Sequence, residues 1–440
     1  MSPIPSNGAG SDPGHDFGPG PGPGPGAGPG PGPVRLDSPR FRSEPAALYR
    51  ELRREFGAVA PVLLDADIPA WLVLGYRELH QVTGDAVLFS RDSGLWNQWA
   101  RVPDDWPLLP MIGRGHSSVL HTVGDRHRAR VAVIGGALEA VDPFELRAHA
   151  ERLADELIDA VCADGTTDLV ARYAALLPVR VLATLYGFAD EQGPGLVAAL
   201  NDMVDGRGDA MAGQLHVAAC MARLVADRAA RPADDVVSRM LASGRTAAGP
   251  ALTHEEIAKD LIVMLTAGQQ PTAGWIGNSL RLMLTDDRFA ASLFGGRRSV
   301  AEAMNEVLWE DTPTQNVAGR WASRDARLGG RAVRAGDLLL LGIQAANHDP
   351  QIRTHGTALT GGNSAHFSFG HGEHRCPFPA QEIAEVIART AIEVVLDRLP
   401  DLDLAVPTAS LTRRPSPWLG SLTTLPVHFT PTAPRGLRHP

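Results

Sequence analysis

A chain of 440 residues with a formal charge of −9, a pI near 5.9 and 44 % hydrophobic residues is long enough to bury a sizeable core, and its acidity excludes a general nucleic-acid binder. No apolar run approaches the roughly 18–20 residues of a membrane span, and the opening lacks a basic start followed by an apolar stretch, so neither a membrane helix nor a signal peptide is expected. Three widely spaced cysteines, Cys162, Cys220 and Cys376, fit no disulfide framework or zinc pattern, which points to a reducing, cytoplasmic location.

Residues 1–33 are dominated by Gly and Pro, including the alternating run from Gly18 to Pro33. So few apolar side chains cannot offset the entropy of ordering, and a disordered tail is expected. Residues 34–432 read as one catalytic domain, followed by a short tail, 433–440. Helix signals dominate it, giving a mainly α fold with small β-sheets. Ala46–Phe56 reads as the opening helix, and Pro61–Leu74 as two short strands around a turn. Asp142 and Pro143 supply an N-cap and first turn for a helix to about Ala163. A further helix covers Gln214–Ala230, and Cys162 and Cys220 fall in these two helices as small buried residues.

The longest element starts at a capping box, Thr253 and Glu256, and runs to about Leu284. Residues Leu261–Ala267 are apolar on every side, which implies burial all round. Ala267-Gly268-Gln269-Gln270-Pro271-Thr272 interrupts that pattern, and an internal Pro costs about 3 kcal/mol, so a functional distortion is expected there. Val300–Trp309 is the next helix. Arg320–Leu328, Arg331–Val333 and Leu338–Ile343 read as extended, Ala380–Arg398 as the last strong helix, and Leu402–Phe429 as strands and loops.

The segment Phe367–Cys376 is a Gly-rich loop that delivers one cysteine to the start of the Ala380 helix. Unpaired N–H groups and the helix dipole there favour a thiolate, the form that ligates iron. Phe369, Gly372, His374 and Cys376 match Phe-x-x-Gly-x-His-x-Cys, the cysteine loop of the cytochrome P450 superfamily, and the chain resembles its soluble bacterial members. Further matches are Phe89-Ser90, the stretch Gly124–Arg130, Ala267-Gly268, Arg320–Asp325 and Leu399–Leu404. The resemblance thus spans nearly everything after the tail.

It implies the cytochrome P450 fold, with haem b (iron protoporphyrin IX) between a long distal helix and the helix after the cysteine loop. Cys376 would be the axial thiolate. His374 and Arg320 would bind the haem propionates, with Phe369, Ala267 and Gly268 beside the cofactor. The family's third helix carries a His and, four residues on, an Arg. Here His127 is followed at that interval by Val131, while Arg130 follows Arg126, and both His127 and Arg130 are candidates.

The chain departs from the family at several points. Glu306-Val307-Leu308-Trp309 replaces Glu-x-x-Arg, marking an atypical subfamily, and Ile352–Ser364 lacks the Pro-x-Arg-Phe element. The acid–alcohol pair of the distal helix is replaced by Gln270 and Pro271, with Thr272 about 100° further round, so Gln270 and Thr272 are the catalytic candidates. Phe378 stands where Gly is usual, stiffening the loop against the proximal haem face, and Ile383 replaces an Arg.

The implied activity is a monooxygenase using O2 and electrons from a ferredoxin and its reductase. Trp96, Trp99, Trp106, Leu108, Leu109, Met111, Trp418, Leu419 and Leu422 suggest a small apolar or aromatic organic substrate. Arg128, Arg130 and Arg375 would offer a basic patch to an acidic donor. The alternatives are a haem-binding regulatory or scaffold protein with little catalysis, and a peroxide-driven oxidase.

Overall fold

The computed structural model describes residues 32–113, 117–188, 193–205, 209–243, 251–286, 289, 299–352 and 363–436. The Gly-Pro tail up to residue 31, most of the Ile352–Ser364 stretch and the last four residues lie outside them. Helices of eight residues or more are α1 (Pro45–Phe56), α2 (Tyr76–Gly84), α3 (Gly124–Glu139), α4 (Pro143–Asp159), α5 (Leu176–Tyr186), α6 (Gly193–Asp205), α7 (Ala210–Ala230), α8 (Val236–Ser243), α9 (His254–Thr285), α10 (Val300–Glu310) and α11 (Ala380–Arg398). The strands are β1 (Val34–Arg35), β2 (Val59–Leu63), β3 (Pro69–Val73), β4 (Phe89–Ser90), β5 (Thr166–Asp168), β6 (Val317–Ala322), β7 (Ala326–Leu328), β8 (Arg331–Val333), β9 (Leu338–Leu341), β10 (Asp403–Leu404) and β11 (Pro426–His428). No helix among the described residues is long and apolar enough to cross a membrane.

Local chemistry sets the helix starts. The Asp142 carboxylate accepts the N–H groups of Phe144 and Glu145 at 2.7 and 3.1 Å, closing two of the orphan donors that open α4. Thr253 and Glu256 cap each other reciprocally at the head of α9, and Ser299 and Glu302 do the same for α10. From its cap α9 runs 32 residues without a break, about 48 Å at 1.5 Å per residue. The interruption expected at Ala267–Thr272 is therefore absent. Pro271 removes only the N–H that would bond the Ala267 carbonyl, and packing against α5, α7, α10 and α11 carries the helix through it.

The main sheet has the order β1-β2-β3-β9-β6-β4. It joins the β2–β3 hairpin to strands more than 250 residues away through parallel pairing of β3 with β9. A second apolar cluster, including Val73, Leu79, Phe89 and Leu341, covers part of this sheet and reaches Phe367 at the root of the cysteine loop. β11 pairs with both β10 and β5, an antiparallel sheet whose β5 member has no strand signature in Thr166-Thr167-Asp168.

Candidate functional site

The cysteine loop is folded by its own backbone. Cys376 N–H donates to Phe369 O at 2.8 Å, Gly370 N–H to Phe367 O at 2.8 Å, and Arg375 N–H to Gly372 O at 3.2 Å. Gly370 and Gly372 both sit at φ +73°, the left-handed region. A Cβ on Gly372 would stand 2.1 Å from the Thr83 carbonyl oxygen. His371 reaches Thr83 from the same side, Nδ1 to Oγ1 at 2.9 Å. The loop is thus clamped on the end of α2, and Gly372→Ala is expected to break the clamp. We expect a loss of at least about 2 kcal/mol, read as a lower urea midpoint with reduced cofactor content.

Sulfur chemistry differs from the expectation at one point. α11 begins at Ala380, four residues past Cys376, with Pro379 as its cap residue, so the thiol is not held against free N–H groups. Burial instead pushes it up to about 11. A thiol kept protonated by its surroundings would give up its proton on coordinating a cation, so a metal bound there would supply the charge that the helix does not. Phe378, expected against the proximal face, points outward and is 59 % exposed. Its backbone carbonyl packs on α3, where a Cβ on Gly135 would come 3.3 Å from Phe378 O.

Beside this loop lies a knot of basic groups. His374 stacks on His127 with ring centroids 3.8 Å apart. Burial, followed by Arg91, Arg320, His127 and His121, drives the His374 imidazole far below its ordinary range. Both His374 ring nitrogens and the Nε and Nη1 of Arg320 are buried with no hydrogen-bond partner in the protein. Burial lowers the Arg320 guanidinium to about 10, with Glu373 opposing. Buried donors gathered this way need an anion. The chemistry of these donors suits the two propionates of haem b, and Cys376, in the same loop as His374, would be the donor available to its metal.

His127 lies in this knot, but its ring nitrogens already face Val119 O at 2.9 Å and Glu373 O at 3.2 Å. Arg130 does not join it. Its guanidinium, fully buried, pairs with Asp260 at 2.7 Å and Glu256 at 2.9 Å on α9. The helical register that left the choice between His127 and Arg130 open thus turns the imidazole to the cysteine loop and the guanidinium to the distal helix. Sequence reasoning missed Arg91 and His121, which carry no motif. The basic patch shrinks accordingly: Arg130 is inside, Arg128 is paired with Asp125 and Glu373, and Arg375 is exposed.

On the other side, Ala267 is exposed although Leu265, Gln269 and Gln270 around it are buried. Gly268 faces away, toward Leu182 of α5, where a Cβ would meet Cδ1 at 3.0 Å. The Gln270 amide donates to Asn201 Oδ1 at 2.8 Å and accepts from Arg414 at 2.6 Å. Arg414 in turn pairs with Asp205 at 2.7 Å, so this polar cluster ties α9 to α6 and the C-terminal segment. Thr272 is buried in the same helix. The tryptophans of the 96–106 segment pack on one another, Trp96 lying 4.8 Å from Trp99 and 5.9 Å from Trp106 between ring centroids.

In the altered Glu-x-x-Trp stretch, Trp309 Nε1 donates to Asn363 O at 2.8 Å and its ring meets His366 edge-on at 5.7 Å. Asn305 joins both partners, donating to Asn363 O and lying 3.2 Å from His366 Nε2. A neutral aromatic and amide joint fills the place of the family's arginine network.

No family model matches the chain. It is 30 % identical over 404 residues to cytochrome P450-SU2 of Streptomyces griseolus, covering 89 % of this chain and 94 % of that protein. It is 28 % identical to a vitamin D(3) 25-hydroxylase of Pseudonocardia autotrophica, over 90 % of this chain and 96 % of the relative. Among solved structures, CYP154C4 from Streptomyces sp. W2061 superposes with a TM-score of 0.82 at 26 % identity, covering 92 % of this chain and all but 1 % of that one.

Proposed function

The chain belongs to the cytochrome P450 family and binds haem b, and we propose that it is a monooxygenase in which Cys376 is the axial thiolate, ferredoxin supplies the electrons and a small apolar molecule is oxidised. The observation that carries this reading is the pairing of the clamped Cys376 loop with buried, partnerless donors on Arg320 and His374. When bound, haem b supplies oxygen activation, and thiolate donation favours O–O cleavage.

The residues of the chain do the rest. The Phe369–Cys376 hydrogen bond and the Gly372 contact fix the sulfur's position. Arg320 and His374 orient the cofactor's carboxylates. Ala267 leaves the distal helix without a side chain large enough to block the space beside it. Gln270, with both ends of its amide committed, holds no transferable acidic proton, and Pro271 has no hydroxyl. Protons consumed in turnover therefore come from water or from the substrate. A cavity of about 160 Å³ is lined both by apolar residues, Leu36, Leu64 and Leu108, and by charged ones, Asp37, Arg42 and Asp205; the apolar substrate reading rests instead on the packed tryptophans of the 96–106 segment. Arg128 and Arg375 remain as the surface cations for an acidic donor.

The test is reconstitution with a surrogate ferredoxin and reductase against a broad panel of apolar and aromatic compounds. Oxidised product that requires the donor is expected. Protein that holds haem yet oxidises nothing in the panel would overturn the monooxygenase reading. Product from peroxide alone, with none from the donor system, would replace it with a peroxide-driven oxidase.

A further inference from the structure

The pairing of β4 with β6 sets Phe89 opposite Ala322 and Ser90 opposite Trp321. One residue beyond that register, Arg91 comes to Arg320. Arg91 is 4 % exposed, and its Nη1 donates to Ala318 O at 2.5 Å and Gly319 O at 3.2 Å, which bends its guanidinium along β6. Its Nε is buried with no hydrogen-bond partner in the protein. Burial, then Arg320, lowers its pKa well below the ordinary value, and no carboxylate acts in the other direction.

Two like charges at adjoining cross-strand positions are destabilising even at a surface. Buried, each also loses its hydration without a counter-ion, a penalty of several kcal/mol per ion in real proteins. Arg320 has Glu373 near it. Arg91 has no such acid among the described residues. A fold that spends stability on such a pair must recover it from something that binds there.

We propose that Arg91 is the second propionate-binding arginine of this protein, taking the place left by Arg130, whose charge is committed to Asp260 and Glu256. Arg91 and Arg320 then offer two positive charges to the two carboxylates of haem b, and the site becomes neutral only when loaded. Two carbonyl bonds from one Nη leave the other guanidinium edge free to bind a carboxylate, the fork geometry that favours arginine over lysine for such groups. The inference rests on the haem reading above and adds a sign to it: Arg91 should oppose folding of the empty protein and favour folding of the loaded one.

That sign is the test. Full-length Arg91→Gln, Arg91→Lys and wild type are compared as haem-free and haem-loaded protein by thermal melting, and as loaded protein by the rate of haem transfer to excess apomyoglobin. Arg91→Gln is expected to melt at or above wild type when empty and below it when loaded. It should lose haem at least about tenfold faster, the scale of one charge-assisted hydrogen bond. Arg91→Lys, which keeps the charge, should fall between. Loading with the dimethyl ester of iron protoporphyrin IX should erase the difference between Arg91→Gln and wild type.

If Arg91→Gln instead lowers both melting points equally and leaves haem loss unchanged, Arg91 is only a clamp on Ala318 and Gly319 and the proposal falls. Should Arg91→Gln fail to fold, Arg91→Lys decides: transfer as slow as wild type from the natural haem, together with an unchanged response to the dimethyl ester, overturns it. Failure of wild type itself to hold haem would sink the functional reading rather than this inference alone.

Discussion

Replacing Cys376 by alanine is expected to abolish the thiolate-type Soret band of the reduced, CO-bound protein and to reduce donor-dependent oxidation to background. The change removes one sulfur and little else. Cys376 donates through its backbone N–H to Phe369 O, and alanine keeps that bond. Gly370 and Gly372 hold the loop by conformations that do not involve the side chain. The other two cysteines cannot stand in. Cys162 is buried in the turn just past α4 with its sulfur 3.7 Å from Asp159 O, and Cys220 lies in α7 against His216. The variant should therefore fold, and Arg320 and His374 should still retain some haem. A thiolate-type band that persists in Cys376→Ala would remove Cys376 from the metal. Loss of the band with an unchanged melting point of the empty protein would tie the effect to ligation alone.

What the sequence disclosed about this site was the part built from neighbours in the chain. The capping box at Thr253, the Asp142 cap and the glycines of the cysteine loop each act within a few residues, so their spacing alone announces them. The Pro271 expectation failed for the opposite reason. A proline's cost is local and readable, while the packing of α9 on four other helices, which overrides it, is not. Arg91 was invisible in the same way. It becomes a candidate only when β4 pairs with β6, bringing residues separated by about 230 positions side by side, and when burial strips it of counter-ions. The choice between His127 and Arg130 turned on helix rotation, about 100° per residue, which a motif displaced by one position cannot settle. Trp309 shows the limit from another side. The missing arginine was plain, but the joint that replaces it draws on Asn305, Asn363 and His366, residues with no motif of their own.

Arg130, diverted from the cofactor, creates the largest expected change in folding stability. Its guanidinium and the Asp260 carboxylate are both fully buried, 2.7 Å apart. Asp260 also accepts the Val119 N–H at 2.6 Å, so the pair ties α3 and α9 to the segment before α3. Asp260→Ala leaves the Arg130 charge buried with Glu256 as its remaining partner, and breaking a buried pair from one side costs about 3–5 kcal/mol. The double variant Asp260→Ala with Arg130→Met removes both charges and should recover most of that loss, because the desolvation penalty disappears with the pair. Urea unfolding of wild type, both single variants and the double variant measures the coupling. Equal losses in single and double variants would mean the segment at Val119, not the ion pair, sets the stability.

The pH dependence gives an independent check. Burial raises the Asp260 carboxyl to about 6 against the pull of Arg130. A carboxyl whose folded pKa lies above its unfolded value of 3.8 binds more protons in the folded state. Its favourable contribution is complete below the unfolded value and fades as pH rises through about 6. Glu256 runs the other way. Burial opposes its charge, but hydrogen bonds from Arg126, the Thr253 N–H and Arg130 prevail and hold it at about 2. Its contribution is therefore complete above the ordinary carboxylate range and is lost progressively as pH falls from about 4.5 to about 2. Between pH 4 and 7, wild type should lose stability relative to Asp260→Asn, while the difference between wild type and Glu256→Gln should stay constant above about pH 5.5 and begin to shrink below it. A wild-type minus Asp260→Asn difference that stays flat between pH 4 and 7 would show that Arg130 holds Asp260 ionised throughout, and that the burial penalty is met entirely by the pair.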